Sequence, residues 1–596
     1  MKKVHLICNA HIDPIWQWDW EEGASTVLST FQSAINLSKD FDYIFNHNES
    51  QIYEYTSRFS PELFKNILKA DKEGKWKVMG GWFNQPDCIL TNGEAIVRQI
   101  QTGKQYFLKN FNDFPKTAVN FDPFGHSRGL VQILNKCGQE NYLFMRPLSK
   151  YTDPNRNELE LPTEQFIWVG YDDSTVKATR STSYGSSMGI SLGKIKNDIS
   201  SFKDYDVICS CWGVGNHGGG PSRFDLGEIS NFIKTTDLEV VHSTPDQYFD
   251  DINPTTRYEK SLIPSMPGCY TSQASTKQAY RNLERELFYT EKICSIASLE
   301  DKALYPVESI KEAVKDMLNV EFHDVFSGTT IQSGEKNAER FINHGLKTLN
   351  ECRADAFFAL IKGQPVAEEN TWPIFVFNPK GYKIEQYVEC EACFQMPFDY
   401  DNKNETLIDI YDQNGNYIPT QTIKEDANIS QQFRKRFIFK ADLNTLGITR
   451  FTAKYHTRDK KEKNYTYGND INFDNGSMQV FISKETGLIE KLVIDGVQYN
   501  NGPIFEPEMW QDYEDPWGMK YPYVGWDPIK FKHIKNPKGV FENLKTMEIV
   551  EDGDIYLGVE TFFECEDNMA NFNLYYSEDN WKLADENYMV FFGEEV

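Results

Sequence analysis

A short unbroken apolar run that stops abruptly at a polar, glycine- or proline-bearing turn occurs three times early in the chain, and nothing else limits the fold as much. Val4-His5-Leu6-Ile7-Cys8 runs into Asn9-Ala10-His11, Ala118-Val119-Asn120-Phe121 into Asp122-Pro123, and Val207-Ile208-Cys209-Ser210-Cys211-Trp212 into a glycine-rich loop. Apolar runs of this length with little alternation read as strands covered on both faces, as in a parallel sheet. Helical patterns lie between them, so the first ~260 residues are expected to be βα units. In such folds ligands bind at the carboxyl ends of the strands. Polar residues just past these three runs therefore carry the most functional weight.

The apolar period changes after that. Between Thr276 and Leu360 three sets recur at three- and four-residue spacing: Tyr280, Leu283, Leu287 and Phe288; Ile310, Ala313, Met317 and Leu318; Ala338, Phe341, Ile342 and Leu349. Three amphipathic segments with short connections predict a three-helix bundle. A polar stretch from Gly363 to Asn370 then leads into a β-rich region. Asn414-Gly415 and Asp495-Gly496 there, flanked by apolar runs, are hairpin turns whose positive φ angles match strand twist. The expected organisation is thus multidomain: an α/β domain over 1–264, an all-α bundle over 265–362 and an all-β region over 363–596. The chain stops at Phe591-Phe592-Gly593-Glu594-Glu595-Val596 in unfinished β structure, so the last domain is expected to be incomplete.

A net charge of -26, from 88 acidic against 62 basic residues, disfavours a nucleic-acid partner or an anionic membrane surface. The 11 cysteines are odd in number and scattered, as suits reduced thiols in a cytoplasmic protein. The apolar run at the start is too short for a signal peptide, and no stretch approaches the ~20 apolar residues of a membrane span. Aromatic residues at 14% would serve sugar faces or simply a large core. Self-association into a homo-oligomer is compatible with all of this.

Three motifs carry chemistry. In Asn9-Ala10-His11-Ile12-Asp13-Pro14-Ile15-Trp16, residues two apart on an extended segment point the same way, so His11 and Asp13 can converge on one ion. Alone, the pair also suits a turn beside a buried histidine. In Asn120-Phe121-Asp122-Pro123-Phe124-Gly125-His126-Ser127, Pro123 and Gly125 shape a turn that would fix the Asp122 carboxylate; a helix cap would look the same. Glu321-Phe322-His323-Asp324-Val325-Phe326-Ser327-Gly328 falls at the end of the second bundle helix. A C-terminal histidine can complement the helix dipole, but Asp324 is then out of place. Together the motifs supply His, Asp, Asp and His, an N/O donor set suited to zinc.

With these motifs the sequence resembles the glycoside hydrolase family 38 α-mannosidases. The resemblance extends to Gly80-Gly81-Trp82 with Pro86-Asp87, Gly93-Glu94 and Arg98-Gln99, to Phe144-Met145-Arg146-Pro147, and to Tyr270-Thr271-Ser272 with Lys277 and Arg281. It is dense over residues 3–360 and looser beyond, where Thr486-Gly487-Leu488 and Asp515-Pro516-Trp517 are recognisable. It implies an α/β barrel-like (β/α)7 catalytic domain, a three-helix bundle and a C-terminal β-sandwich. It further implies one Zn2+ per chain held by His11, Asp13, Asp122 and His323, and an oligosaccharide substrate cleaved with retention. Asp122 would be the nucleophile; Trp16 would lie under the sugar, and Arg146 and Asp324 would line its pocket.

The general acid departs from the family pattern. Relatives carry it in a Gly-Asp-Asp or Gly-Asp-Gly segment, and the comparable Gly213-Val214-Gly215-Asn216-His217-Gly218-Gly219-Gly220-Pro221 has no carboxylate. His217 is the substitute in place; Asp172, Asp173 and Asp225 are near in sequence. Two other functions compete: a metal-dependent deacetylase or amidohydrolase on a related barrel, and a carbohydrate-binding homologue impaired in catalysis.

Overall fold

The structure, a computed structural model, describes residues 2–147, 164–215, 217–262, 266–396, 399–401, 403–426, 432–460, 469–509, 516–517, 529–535 and 545–565. The chain end, on which the expectation of an unfinished β region rested, lies outside these residues, as do Asn216 and Asp515.

Among the described residues the first 260 form ten strands: β1 (Lys3–Asn9), β2 (Phe45–Glu49), β3 (Trp76–Trp82), β4 (Thr117–Asn120), β5 (Asn141–Phe144), β6 (Gln165–Val169), β7 (Thr175–Arg180), β8 (Val207–Trp212), β9 (Glu239–His242) and β10 (Arg257–Tyr258). The three apolar runs are β1, β4 and β8. β1 pairs in parallel with β2, β8 and β9, and β2 with β3. The other sheet runs β10-β6-β7-β5-β4, parallel except for the β6–β7 hairpin. Among the described residues the hydrogen bonds thus make two five-stranded sheets, adjoining at β3 and β4, and not one continuous ring.

Both sheets cover one interior. Ile7 of β1, Met79 of β3, Val119 of β4, Leu143 of β5 and Cys209 of β8 meet in a single buried cluster. The alternate residues Val4, Leu6 and Cys8 pack instead with Val27 and Phe31 of the helix Trp20–Leu37. Burial of both strand faces is why these runs show no polar alternation.

Three long helices follow, Ala274–Leu299, Val307–Val320 and Gln332–Ile361. Tyr280, Leu283, Leu287, Ile310, Ala313, Met317, Leu318, Ala338, Ile342 and Leu349 share one core; Phe288, next to Leu287, is 49% exposed and faces out. That core also takes Ile15 and Phe83, from the segments after β1 and β3. The turn after the second helix is thereby anchored at the strand ends.

By density of contacts the chain divides into two compact units, Met1–Cys294 with Tyr305–Ala354 and Tyr513–Val524, and Ser295–Leu304 with Asp355–Asp512 and Gly525–Val596. The second is β-rich. A four-stranded sheet (Trp372–Asn378, Gly447–Asp459, Asn404–Tyr411, Tyr417–Ile418) and a three-stranded one (Ile384–Cys393, Arg434–Leu443, Thr420–Ile423) enclose Phe394, Ile408, Ile410, Phe437, Phe439 and Phe451. Asp495 and Gly496 have φ of 50° and 79° in the turn joining Ile489–Ile494 to Val497–Gln498, as a two-residue hairpin loop requires. At Asn414-Gly415 only the glycine has positive φ (81°); the turn is wider and is closed by the Asp412 carboxylate, which accepts from the amides of Asn414 and Asn416. The Cys390-Glu391-Ala392-Cys393 spacing lies on one strand, so its two thiols leave opposite faces of the sheet and do not form a clip.

Candidate metal centre and active site

Two of the three motifs follow strands of the two different sheets, β1 and β4, which cover the same interior. β1 delivers His11 and Asp13, and β4 delivers Asp122 two residues past its end. The glycine-rich loop after β8 lies against the first of these. A Cβ on Gly213 (φ 116°) would fall 2.1 Å from the Asn9 carbonyl oxygen, and one on Gly215 would be 3.3 Å from His11 Cβ. Glycine is what allows this approach. The third motif comes from the bundle. The segment after β3 pairs antiparallel with the turn after the second bundle helix: Asp87 N donates to Glu321 O (2.9 Å) and His323 N to Gln85 O (3.1 Å). Backbone pairing thus carries His323 to the strand ends, and its imidazole serves no helix carbonyl.

The four side chains meet. His11 Nε2 lies 2.8 Å from Asp13 Oδ1 and 3.8 Å from Asp122 Oδ2; His323 Nε2 lies 3.5 Å and 3.9 Å from the same two oxygens. One ligand atom each from His11, Asp13 and His323 falls within 4.8 Å of the others. His11 Nε2, His323 Nε2 and Asp13 Oδ1 are fully buried and none has an aligned hydrogen bond. Buried polar atoms turned toward one another without partners are what a cation would satisfy. The residues fit a divalent metal of the zinc type, with nitrogen and oxygen donors and no thiolate.

Electrostatics agree. Burial opposes charge on both histidines, but the nearby carboxylates outweigh it, raising His11 above the usual imidazole range and His323 to about 10. Burial would push Asp13 up, yet His11 and His323 hold it well below the carboxylate range. Asp324, adjoining His323 at 3.6 Å, is pushed up to about 7, chiefly by burial. A site that holds protons this firmly is strongly negative, and a divalent cation would displace them.

Arg146, after β5, donates Nε to Asp122 Oδ1 at 2.5 Å, so it grips the oxygen that does not face the histidines. Asp122 is 9% exposed against 0–2% for His11, Asp13 and His323, which makes it the ligand turned toward the open side. Asp324 Oδ1 accepts from Thr329 Oγ1 (2.6 Å). Trp16 is half-buried and stacks on Trp517, ring centres 5.6 Å apart. His217 does not join the cluster in any described contact: it is half exposed, edge-on to Trp18 at 4.0 Å, with Nε2 3.2 Å from Glu22 Oε1. Asp172 and Asp173 occupy the β6–β7 turn, and Asp225 ties the amides of Gly189 and Ser191 to a helix start.

Three residues at the centre drew no notice in the sequence. The Tyr184 ring lies 4.4 Å from that of His11, and burial together with Asp122 and Asp13 pushes its phenol up. Gln85 and Glu49 lie behind the histidines, with Gln85 Nε2 3.0 Å from His11 Nδ1 and 2.5 Å from Glu49 Oε1. No residue type marks such positions; Gln85 sits inside the Gly80–Asp87 segment, which was the available signal.

A family model for the glycosyl hydrolases family 38 N-terminal domain matches residues 1–272, and one for the alpha mannosidase middle domain matches 266–360. Human alpha-mannosidase 2C1 is 27% identical over 382 residues, 61% of this chain and 36% of that protein. Alpha-mannosidase G of Dictyostelium discoideum is 28% identical over 346 residues, 55% and 31% of the two chains. The chain therefore matches about a third of the length of these relatives. An alpha-mannosidase from Enterococcus faecalis V583 superimposes with a TM-score of 0.75 at 15% identity, over 95% of this chain and 67% of that one, which shows a shared fold.

Proposed function

The chain belongs to glycoside hydrolase family 38, and on that footing we propose that it is a zinc-dependent retaining α-mannosidase that removes terminal α-linked mannose from oligosaccharides. The observation that carries this is the meeting of His11, Asp13, Asp122 and His323, with buried unpartnered donor atoms, at the carboxyl ends of β1 and β4. On this reading the two sheets are halves of the barrel-like (β/α)7 domain, and its buried free thiols suit the cytoplasm.

When bound, Zn2+ would supply a fixed positive charge and a template for sugar hydroxyls. The chain's own groups do the rest. Asp122, its Oδ1 held by Arg146, attacks the anomeric carbon opposite the leaving group, giving a mannosyl ester that water later hydrolyses with net retention. Trp16 provides a flat apolar face for the sugar ring. Asp324, adjacent to the cluster, accepts from sugar hydroxyls. His217 is the proposed proton donor to the leaving oxygen. Its Nε2 lies 3.2 Å from Glu22 Oε1, and as donor it would have to stand within hydrogen-bond reach of the leaving oxygen.

The test uses an activated aryl α-mannoside, whose good leaving group needs little acid assistance. Protein stripped of metal should be inactive, regain activity with Zn2+, and release mannose first as the α-anomer by proton NMR. The β-anomer as first product would overturn retention, and released acetate from an acetylated sugar would favour the deacetylase. The missing carboxylate in the glycine-rich loop favours one alternative, a sugar-binding homologue that lost turnover. Mannose binding without any release from the aryl mannoside, zinc present, would establish it.

A further inference from the structure

Gln85 touches all three motif segments at once. Its backbone carbonyl accepts from His323 N (3.1 Å) and from His323 Nδ1 (2.9 Å). Its side-chain oxygen accepts from the amide of Phe121 (2.7 Å), the residue before Asp122. Its side-chain nitrogen faces His11 Nδ1 at 3.0 Å and Glu49 Oε1 at 2.5 Å. Gln85 is 1% exposed and Glu49 2%. Behind them His47 brings Nε2 to 2.9 Å from Glu49 Oε2, and its Nδ1 lies 3.2 Å from the Ala10 carbonyl oxygen, one residue before His11. Nothing in this group reaches solvent, and none of it can touch a substrate.

Each contact has a consequence at the centre. A carbonyl can only accept, so His323 keeps a hydrogen on Nδ1, and Nε2, which faces Asp13 and Asp122, is the nitrogen a metal would take. His11 Nδ1 meets the Gln85 amide nitrogen, and because the amide oxygen is held by Phe121 N–H and the nitrogen by Glu49, this contact fixes where the His11 ring sits. The Phe121 contact fixes the chain one residue before Asp122. The Glu49 carboxylate, which His47 and Gln85 hold below its usual range despite burial, clamps the amide in turn.

We propose that Gln85, clamped by Glu49, is the positioning residue of the metal centre, setting the orientation of both imidazoles and the place of Asp122. This rests on reading the cluster as a metal site, and it assigns a role to a residue that contacts neither metal nor sugar. Outer partners of this kind typically govern affinity by about 10–100-fold.

The experiment titrates Co2+ and Zn2+ into the metal-stripped full chain against a chromophoric chelator, and records the visible spectrum of the Co2+ form. Gln85→Ala should bind about 10–100-fold more weakly, with altered Co2+ bands. Gln85→Glu sets two carboxylates against each other and should also bind weakly. The exchange Glu49→Gln with Gln85→Glu restores one amide against one carboxylate and should recover most of the lost affinity. A purely structural role would lower the melting midpoint of the metal-free protein and leave affinity and Co2+ bands unchanged; that result overturns the assignment. Should Gln85→Ala fail to fold, the exchanged pair decides, and no recovery over Gln85→Glu overturns it equally. A wild-type chain that binds neither ion removes the metal centre itself, whereas wild-type binding matched by Gln85→Ala removes only the role of Gln85.

Discussion

The unit built on β1–β10 and the helices buries Asp13, Glu49, Asp87, Glu321 and Asp324 almost completely, whereas among its described residues the β-rich unit buries no Asp or Glu as a whole and withdraws a carboxylate oxygen, Glu548 Oε2, from water. There the polar side chains withdrawn from water are Asn378, Thr449, Ser483, Asn500 and His533. Its charges stand outside as cross-strand pairs: Arg434 with Glu391, Arg436 with Glu389, Arg458 with Glu405. Burying a carboxylate is costly unless it is paired, holds backbone amides as Asp225 does, or meets a metal, so each buried one needs a partner of that kind. The β-rich unit is held by the ordinary apolar core of a sandwich. The difference separates function from framework, and substitutions can test it.

The largest effect is expected at the centre. Asp122→Asn keeps shape but loses the nucleophilic carboxylate and should lower kcat on an aryl α-mannoside by on the order of 10^3-fold or more, with the melting midpoint little changed. Turnover within tenfold of wild type would end the nucleophile assignment. His217→Ala should hurt natural mannosides far more than the aryl substrate, because only the former need a proton; equal losses on both would remove it as donor. On the framework side, Phe437 is fully buried between the two sheets of the β-rich unit, and Phe437→Ala should cost about 3–5 kcal/mol. Chelator-measured zinc affinity of the folded protein should stay put. A parallel loss of affinity would show that the two units do not separate as drawn.

The centre was more legible than its supports. His11, Asp13 and Asp122 follow apolar runs, and a strand end is where a βα fold displays its polar residues, so their meeting could be read from position and donor type. His323 was found by motif, since the Gln85–His323 pairing that delivers it is a backbone contact and leaves no mark in residue type. Gln85 and Glu49 act through geometry alone, and no composition rule singles them out. The β6–β7 hairpin also escaped notice: its turn, Gly170 to Ser174, interrupts a region otherwise read as βα units. Phe288 fitted the helical period but lies at the edge of the apolar stripe, where one position decides between core and solvent.

Acid should strike the first unit. His126 and His242 are both held near 4 by burial, below the ordinary imidazole range. His126 is neutral and satisfied, with Nε2 toward the Arg146 carbonyl oxygen and Nδ1 taking the Tyr142 hydroxyl. A folded value below the unfolded one means the unfolded chain binds more protons, so their contribution is complete above about pH 6.5 and is lost as pH falls through about 4. The loss should be on the order of 3 kcal/mol for each. Melting midpoints followed from pH 7 to 4 should fall less steeply in His126→Gln than in wild type, after its constant cost at neutral pH is subtracted. Identical slopes would assign the acid sensitivity elsewhere.

The smallest effect is the sharpest check on the contrast. Arg458 and Glu405 stand directly opposite each other on neighbouring strands, Nε to Oε1 2.6 Å, with 44% and 27% of their side chains exposed. Geometry this good invites comparison with a strut, but water screens the pair and two long side chains must be ordered to form it. Arg458→Gln should therefore shift stability by about 1 kcal/mol or less and leave turnover alone. A destabilisation as large as that of Phe437→Ala would mean the outer charges hold the sandwich, and the division between a unit that uses buried charge and one that merely wears it would fail.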